Sequence, residues 1–151
     1  MSRIEWIVCE RTSRWASALR ISFAASGVPF RLREIRHLEE LAAELAKRPA
    51  CLAAIEFDRT NFAAALALLS VIRKKFPDTR TIALLDRSLA SEFAEVGNAA
   101  VEAGAAAVAA SPRRLDAILA LGEWHAATER TKGERMPLVA RIWATLPWQA
   151  V

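Results

Sequence analysis

Four carboxylates in the sequence are spaced so that they could do chemistry together. Each lies at the end of an apolar run, and they are Glu10, Glu56, Asp58 and Asp86. Converging carboxylates can bind a divalent metal ion or act on a substrate. They can instead be loop acids that are solvated or paired with the arginines close by in the chain, Arg11, Arg59 and Arg87. We favour solvation or arginine pairing and predict no metal site.

Other familiar chemistries lack their residues. His37 and His125 are the only histidines and fall in separate predicted helices, with no cysteine or histidine at metal-ligand spacing. Residues 9–13 contain no glycine, so no glycine-rich phosphate loop follows the first predicted strand. Ser111 lacks the flanking glycines of a hydrolase nucleophile, and its position before Pro112 predicts a helix N-cap. We therefore predict no catalytic residue and no cofactor.

The composition is that of one ordinary globular domain. The chain has 151 residues, of which 54% are hydrophobic and 25% charged, and its formal net charge is +4. An excess of positive charge suits an anionic partner, but the basic residues are scattered over predicted helix faces and loops. We expect a protein partner, either an unidentified protein or a second copy in a homodimer, and no nucleic acid.

The termini and cysteines predict a cytoplasmic protein. Residues 1–6 form no apolar signal core, and no apolar run approaches the 18 or so residues of a membrane span. Cys9 and Cys51 fall on neighbouring parallel strands, at positions that the strand rise keeps more than about 10 Å apart. Two reduced, buried thiols and no membrane contact are therefore expected.

The elements that must position the carboxylates follow from the hydrophobic pattern. Short apolar runs predict strands at residues 3–9, 29–35, 51–57, 81–85 and 105–110. Repeats of three and four residues predict helices from Thr12 or Ser13 to Gly27, at 38–47, from Thr60 or Asn61 to 76, at 91–103 and at 113–128. Strict alternation predicts an α/β fold with one doubly wound, five-stranded parallel sheet in the flavodoxin-like order 2-1-3-4-5.

The C-terminal residues predict a separate interaction element. Residues 131–133 are a predicted linker, which divides the chain into a domain at 1–130 and an extension at 131–151. Between Pro137 and Pro147 the apolar residues fall on one face of a short helix, with Arg141 opposite. The candidates for contact with a partner are Leu138, Ile142, Trp143, Leu146 and Trp148.

Three segments carry a resemblance to a known family. The sequence Val-Glu-Ala-Gly-Ala at 101–105, with Ala-Ala-Ser-Pro at 109–112, is similar to an Ala-Gly-Ala turn before a strand that ends in Lys-Pro. Trp-Ile-Val-Cys-Glu at 6–10 is similar to a hydrophobic strand that runs into paired acids, and Leu-Leu-Ser-Val-Ile-Arg at 68–73 to a third helix. Together with the order of elements, residues 3–128 resemble the receiver domain of bacterial response regulators.

The resemblance implies a phosphoacceptor pocket whose residues are mostly replaced. The family uses two acids after the first strand for Mg²⁺, an Asp ending the third strand, a hydroxyl ending the fourth and a Lys ending the fifth. The corresponding positions here are Cys9 and Glu10, then Glu56 or Phe57 with Asp58 one step on, then Asp86 and Ser111. A thiol suits Mg²⁺ poorly, Asp86 would repel a phosphoryl group, and Ser111 brings no cation.

The resemblance therefore implies a degenerate, pseudo-receiver type of domain. We expect a non-catalytic signalling or scaffolding domain that acts through protein–protein contacts and is not phosphorylated. One alternative is an atypical receiver phosphorylated on Asp58. Another is a small metal-dependent hydrolase that uses the four carboxylates.

Overall fold

The computed structural model describes the backbone of residues 3–144 and the side chains of residues 3–132. The strands are β1 (Ile4–Cys9), β2 (Phe30–Ile35), β3 (Leu52–Phe57), β4 (Arg80–Leu85) and β5 (Ala105–Ala109). The helices are α1 (Arg14–Ser26), α2 (Leu38–Lys47), α3 (Phe62–Lys75), α4 (Phe93–Ala103) and α5 (Asp116–Ala144), and a 3₁₀ helix, Arg87–Glu92, precedes α4. Strands and helices alternate as the hydrophobic pattern predicts.

The five strands form one parallel sheet in the order β2-β1-β3-β4-β5. The predicted fold class and strand order are therefore confirmed. All six residues of the central strand β3 are buried, because helices cover both faces of the sheet. No helix in the part of the chain that the structure describes is long and apolar enough to span a membrane.

The period of two along the strands divides the core into two clusters. In β1, β3 and β4 the odd-numbered side chains, such as Ile7 and Ile55, pack with α2, α3 and α4. The even-numbered side chains, such as Trp6 and Ala54, pack with α1 and α5. Cys9 and Cys51 are both buried and free, as predicted.

The connection after β5 differs from the prediction. Residues 111–114 form a turn in which the Ser111 carbonyl accepts from the Arg114 N–H at 3.1 Å, and α5 begins only at Asp116. The predicted N-cap role of Ser111 is wrong. Serine followed by proline is also favoured in the first half of a type I turn, and here the turn forms in place of the helix start.

Helix α5 also runs further than predicted, through residues 131–133 to Ala144. The Thr131 hydroxyl donates to the Ala127 carbonyl at 3.0 Å, and Lys132 pairs with Glu129 at 3.1 Å. A single glycine costs only about 1 kcal/mol in a helix, so Gly133 does not end one whose neighbours favour it. The backbone of Leu138, Ile142 and Trp143 lies in α5 while their side chains lie outside the described set, as do Leu146 and Trp148 altogether.

Gly104, which follows the last residue of α4, has a backbone conformation that requires glycine, and a substitution can test this. Its φ is +123°, and a Cβ added there would lie 2.9 Å from Arg73 Cδ. Gly104→Ala should lower the free energy of unfolding by about 1–2 kcal/mol through backbone strain and this contact. Gly97, inside α4, is the matched control because its added Cβ would meet Val108 Cγ1 at an ordinary 3.6 Å. Gly97→Ala should stabilise by about 0.5–1 kcal/mol in urea denaturation, and equal losses in both variants would contradict this account.

Candidate functional site

The carboxyl ends of β1, β3 and β4 bring the four predicted carboxylates to one edge of the sheet. Glu10, Glu56 and Asp86 continue the even-numbered face of their strands, and Asp58 follows Glu56 by two residues. A cleft of about 360 Å³ at this edge is lined by Glu56, Asp58 and Asp86, together with Arg11 and Arg14. We call it the carboxylate cleft. The predicted convergence of these acids is therefore present in the structure.

The alternation of side chains along β3 also shows which of Glu56 and Phe57 faces the cleft. Phe57 is fully buried in the cluster against α2, α3 and α4, so it points away from the cleft. Cys9 lies in the same cluster, where burial above all, with the nearby acids Glu39 and Glu40, raises the pKa of its thiol to about 12. Neither residue contributes a ligand to the cleft, and the position that ends β3 on the cleft side is Glu56.

Glu10 holds the beginning of α1. Its two carboxylate oxygens accept from the backbone N–H groups of Trp15 at 2.9 Å and Ala16 at 2.8 Å. The residue is only 2% exposed, and burial raises its pKa above the ordinary value although the two N–H groups act in the opposite direction. An acid placed at a helix N-terminus satisfies donors that have no partner in the helix. Both oxygens of Glu10 therefore have a structural role.

Asp58 holds the turn into α3. Its Oδ1 accepts from the Thr60 N–H at 2.7 Å, the Thr60 hydroxyl at 2.6 Å and the Asn61 N–H at 2.9 Å. Its Oδ2 lies 3.6 Å from Arg11 Nη1. Burial opposes ionisation, but the hydrogen bonds from Thr60 and Asn61 and the charge of Arg11 outweigh it and lower the pKa of Asp58. This acid is ionised and its Oδ1 is already fully used.

Asp86 caps the 3₁₀ helix that follows β4. Its Oδ2 accepts from the Ser88 N–H at 3.0 Å, and its Oδ1 lies 3.6 Å from Arg14 Nη1. The hydrogen bond from Ser88 is the main cause that lowers the pKa of Asp86. Arg14 is a partner that the sequence did not indicate, because it stands 72 positions away and reaches Asp86 only once α1 is folded on the sheet.

Glu56 is the acid with the weakest partner. The only hydrogen bond to its carboxylate among the described residues is a 3.5 Å contact from the Arg11 N–H. It is 6% exposed, and burial together with the charges of Glu10, Asp86 and Asp58 raises its pKa. The protonated form of Glu56 is therefore favoured relative to an exposed glutamate.

Comparison with known proteins places this geometry in a known fold. No protein-family model and no curated protein matches the sequence. Among solved structures, a CheY-like protein from Pseudomonas aeruginosa is 20% identical with a TM-score of 0.61, over 81% of this chain and 94% of that one. A response regulator from Thermotoga maritima is 22% identical with a TM-score of 0.60, over 82% and 98%. An orphan response regulator from H. pylori is 20% identical with a TM-score of 0.61, over 82% and 98%.

The chain has the receiver-domain fold. The fold expected from the resemblance is therefore confirmed over most of the chain. In this receiver fold the residue that ends β3 on the cleft side is a glutamate, and β4 is followed by an acid instead of a hydroxyl residue. Ser111 follows β5 and lines a neighbouring cleft with Arg14, Arg87 and Arg113.

The arginines beside the cleft acids differ in part from those that the sequence predicts. No cation comes from the end of β5, as expected, but Arg11 and Arg14 supply positive charge from the β1–α1 connection and the first residue of α1. Of the three arginines expected to pair with an acid close by in the chain, Arg11 pairs with Asp58 instead of the adjacent Glu10. Arg59 binds Glu92 at 2.9 Å, and Arg87 has no ion pair among the described side chains. Within residues 3–132, no group of three or more acids, cysteines and histidines is placed to hold a metal ion.

The raised pKa of Glu56 predicts a gain of stability on its neutralisation. A carboxyl group whose pKa is higher in the folded state stabilises the fold at low pH, and that contribution is lost as the pH rises from its ordinary pKa of 4.5 through the folded value. Glu56→Gln cannot ionise, so it avoids this loss of stability, and its side-chain oxygen can still accept from the Arg11 N–H. The variant should gain on the order of 1 kcal/mol in urea denaturation at pH 7, and the gain should disappear below about pH 4.5.

Glu92 is the matched control for this test. It is a glutamate outside the cleft whose pKa is lowered, chiefly by the Ser91 hydroxyl, and it pairs with Arg59. Glu92→Gln should give no gain in stability at pH 7. A Glu56→Gln protein that is less stable at pH 7, or an equal gain in stability in both variants, would show that ionisation of Glu56 does not destabilise the fold.

Proposed function

We propose that this protein is a non-catalytic receiver-type signalling or scaffolding domain that acts through protein–protein contacts and without phosphorylation. The observation that carries the proposal is the use of the cleft carboxylates. Glu10, Asp58 and Asp86 hold the starts of three helical segments by hydrogen bonds to backbone N–H groups. The remaining acid, Glu56, has a raised pKa at the position that ends β3.

Charge balance in the cleft also supports a protein that stays unphosphorylated. A phosphoryl group would add about −1.5 to −2 charges at neutral pH beside Glu10, Asp58 and Asp86. All three arginines that line the cleft already have partners, since Arg11 pairs with Asp58, Arg14 with Asp86 and Arg59 with Glu92. No unpaired cation of the cleft lining is left to neutralise the added charge. A phosphorylated acid would therefore be repelled by its surroundings.

A solved structure gives a precedent for such regulation. An atypical orphan response regulator described as having a phosphorylation-independent regulatory mechanism is 20% identical, with a TM-score of 0.60 over 81% of this chain and 94% of that one. The competing function, phosphorylation of Asp58, has one observation in its favour, since this acid is ionised and lies beside Arg11. The two functions make opposite predictions for the same experiment.

Incubation with a small phosphodonor separates them. After treatment with acetyl phosphate and Mg²⁺, the intact protein should keep its mass, because Asp58 Oδ1 is used in the α3 turn and Glu56 is a poor nucleophile. A receiver domain of known competence serves as the positive control. A gain of one phosphoryl group that is abolished by Asp58→Asn, and kept in Glu56→Gln, would replace this proposal with the atypical phosphorylated receiver.

One candidate contact surface lies between α4 and the turn after β5. This cleft, of about 470 Å³, has an apolar lining that includes Phe93 and Pro112, and it carries Arg14, Arg87 and Arg113 but no acid. Arg87 and Arg113 form no ion pair among the side chains that the structure describes. A cleft with this lining suits a partner segment in which carboxylates flank an apolar side chain.

The extension of α5 supports a second contact. The helix has 29 residues, which corresponds to about 43 Å, whereas a strand of six residues spans about 20 Å. Its C-terminal part therefore continues well beyond the length of the sheet. The apolar residues Leu138, Ile142 and Trp143 of the predicted stripe belong to this part of the sequence, and a short amphipathic segment is stable in water only when its apolar face is covered. We propose that it is covered by a second copy of the chain.

Substitution of the stripe tests this contact. Trp143→Ala should shift the protein from dimer to monomer in sedimentation equilibrium, with a dissociation constant raised at least tenfold, because large aromatic side chains dominate interfaces. Arg141→Ala, on the opposite face of the predicted helix, should leave the dimer unchanged. A wild-type protein that is monomeric at every concentration tested would contradict self-association.

A further inference from the structure

The segment between β4 and α4 forms part of the candidate contact cleft beside α4. The 3₁₀ helix Arg87–Glu92 runs directly into α4 and supplies Arg87 and Ala90 to the cleft lining, and Phe93 is the first residue of α4. Most of the remaining lining, residues 110–113, follows β5. The position of the 3₁₀ helix therefore affects the shape of the cleft.

Few buried contacts hold this 3₁₀ helix to the core. Of its six residues only Leu89 is buried, at 2% exposed, whereas Arg87, Ser88, Ala90 and Ser91 are exposed. Six residues is long for a 3₁₀ helix, because its hydrogen-bond geometry is poorer than that of an α-helix. An element with few buried apolar contacts opens at a low cost in free energy. Other interactions must therefore keep this segment in place.

The start of α4 has no capping side chain. Glu92, which precedes the first residue of α4, makes no side-chain hydrogen bond to the N–H groups of the helix. Its carboxylate instead accepts from the Ser91 hydroxyl at 2.7 Å and from the guanidinium of Arg59. The N–H groups at an uncapped helix start gain no stabilisation from a side chain. Capping therefore does not fix the 3₁₀ helix relative to α4.

Arg59 bridges the 3₁₀ helix from the β3–α3 connection. Its Nε donates to the Ser88 carbonyl oxygen at 2.6 Å, and its Nη2 donates to the two carboxylate oxygens of Glu92 at 2.9 and 3.2 Å. The backbone N–H of Arg59 also lies 3.4 Å from the Ser88 hydroxyl oxygen. Hydrogen bonds from a charged donor are stronger than neutral ones, and the planar guanidinium can hold two partners at once. One side chain therefore binds both ends of the segment.

The turn that carries Arg59 is well fixed, in contrast to the 3₁₀ helix. The neighbouring Asp58 is 6% exposed and accepts from Thr60 and Asn61. The Asn61 side chain accepts from the Asp58 N–H at 2.8 Å and donates to the Glu56 carbonyl oxygen at 2.9 Å. Arg59 therefore extends from a turn that hydrogen bonds tie to the end of β3, and it anchors the weakly packed segment to that turn.

We propose that Arg59 is a latch, in which its bonds to Ser88 and Glu92 keep residues 87–92 in place and thereby maintain the contact cleft. When these bonds break, the segment opens locally while the sheet stays folded, and the cleft changes shape. The Arg59 and Glu92 side chains are 59% and 35% exposed, so salt screens their attraction and weakens the latch. The inference rests on the proposed function in treating this cleft as a contact surface, but the latch is a property of the protein alone.

Amide hydrogen exchange in the absence of a partner tests the latch. In Arg59→Gln the amides of residues 88–92 should exchange at least about fivefold faster than in the wild type, because the charged hydrogen bonds are lost. Arg36→Gln is the matched control, since Arg36 also donates to a backbone carbonyl, a serine hydroxyl and a glutamate. Arg36 follows β2, so its loss should leave exchange at residues 88–92 unchanged even where it speeds exchange through global unfolding.

Two further measurements keep the test independent of a single variant. Glu92→Gln retains the bond from Arg59 to the Ser88 carbonyl and should speed exchange at residues 88–92 by a smaller factor than Arg59→Gln. Raising the salt concentration from about 0.05 to about 0.5 M should speed this exchange in the wild type and not in Arg59→Gln. Unchanged exchange in Arg59→Gln, equal acceleration in Arg36→Gln, or the same salt effect in Arg59→Gln would overturn the proposal. None of these outcomes depends on a partner, so they are independent of whether the cleft is a contact surface.

Discussion

The structure depends on how buried carboxylates at the carboxyl edge of the sheet obtain partners. The period of two along β1, β3 and β4 turns Glu10, Glu56 and Asp86 toward one side of the sheet, where Glu10 and Glu56 are buried and Asp86 is partly exposed. Burying a charge is costly unless hydrogen bonds or opposite charges compensate it. Backbone N–H groups at helix starts compensate Glu10, Asp58 and Asp86, and in doing so they fix where these segments begin. The same hydrogen bonds therefore stabilise the fold and occupy the carboxylates of Glu10, Asp58 and Asp86.

Most of the fold could be predicted because it rests on local patterns. Continuous apolar runs identified the five strands, and the alternation with helices identified the parallel order. The convergence of Glu10, Glu56, Asp58 and Asp86 followed from the same order, because all four come at the carboxyl ends of strands. The choice between Glu56 and Phe57 required the observed register, since a single step along a strand reverses the face of the sheet.

The errors arose where tertiary contacts or competing local structures decide. Arg14 reaches Asp86 through the packing of α1, which no spacing in the sequence reveals, so Asp86 pairs with Arg14 and not with the adjacent Arg87. Ser111 followed by proline fits both a helix N-cap and a turn, and the turn forms. The end of α5 was misplaced because one glycine was taken as a linker, although its neighbours favour a helix.

The pairing of acids and arginines in the cleft limits how a domain of this kind could respond to a signal. A ligand or modification shifts a conformational equilibrium only by as much as it prefers one state over the other. In the carboxylate cleft, Arg11 and Arg14 are paired and three acids are bound to helix starts, so the groups that could respond to a new charge already have partners. Cations without an ion pair among the described side chains lie elsewhere, for example Arg87 and Arg113 in the cleft beside α4. This balance supports the proposal that the domain acts through contacts at such a surface and not through covalent change at the cleft.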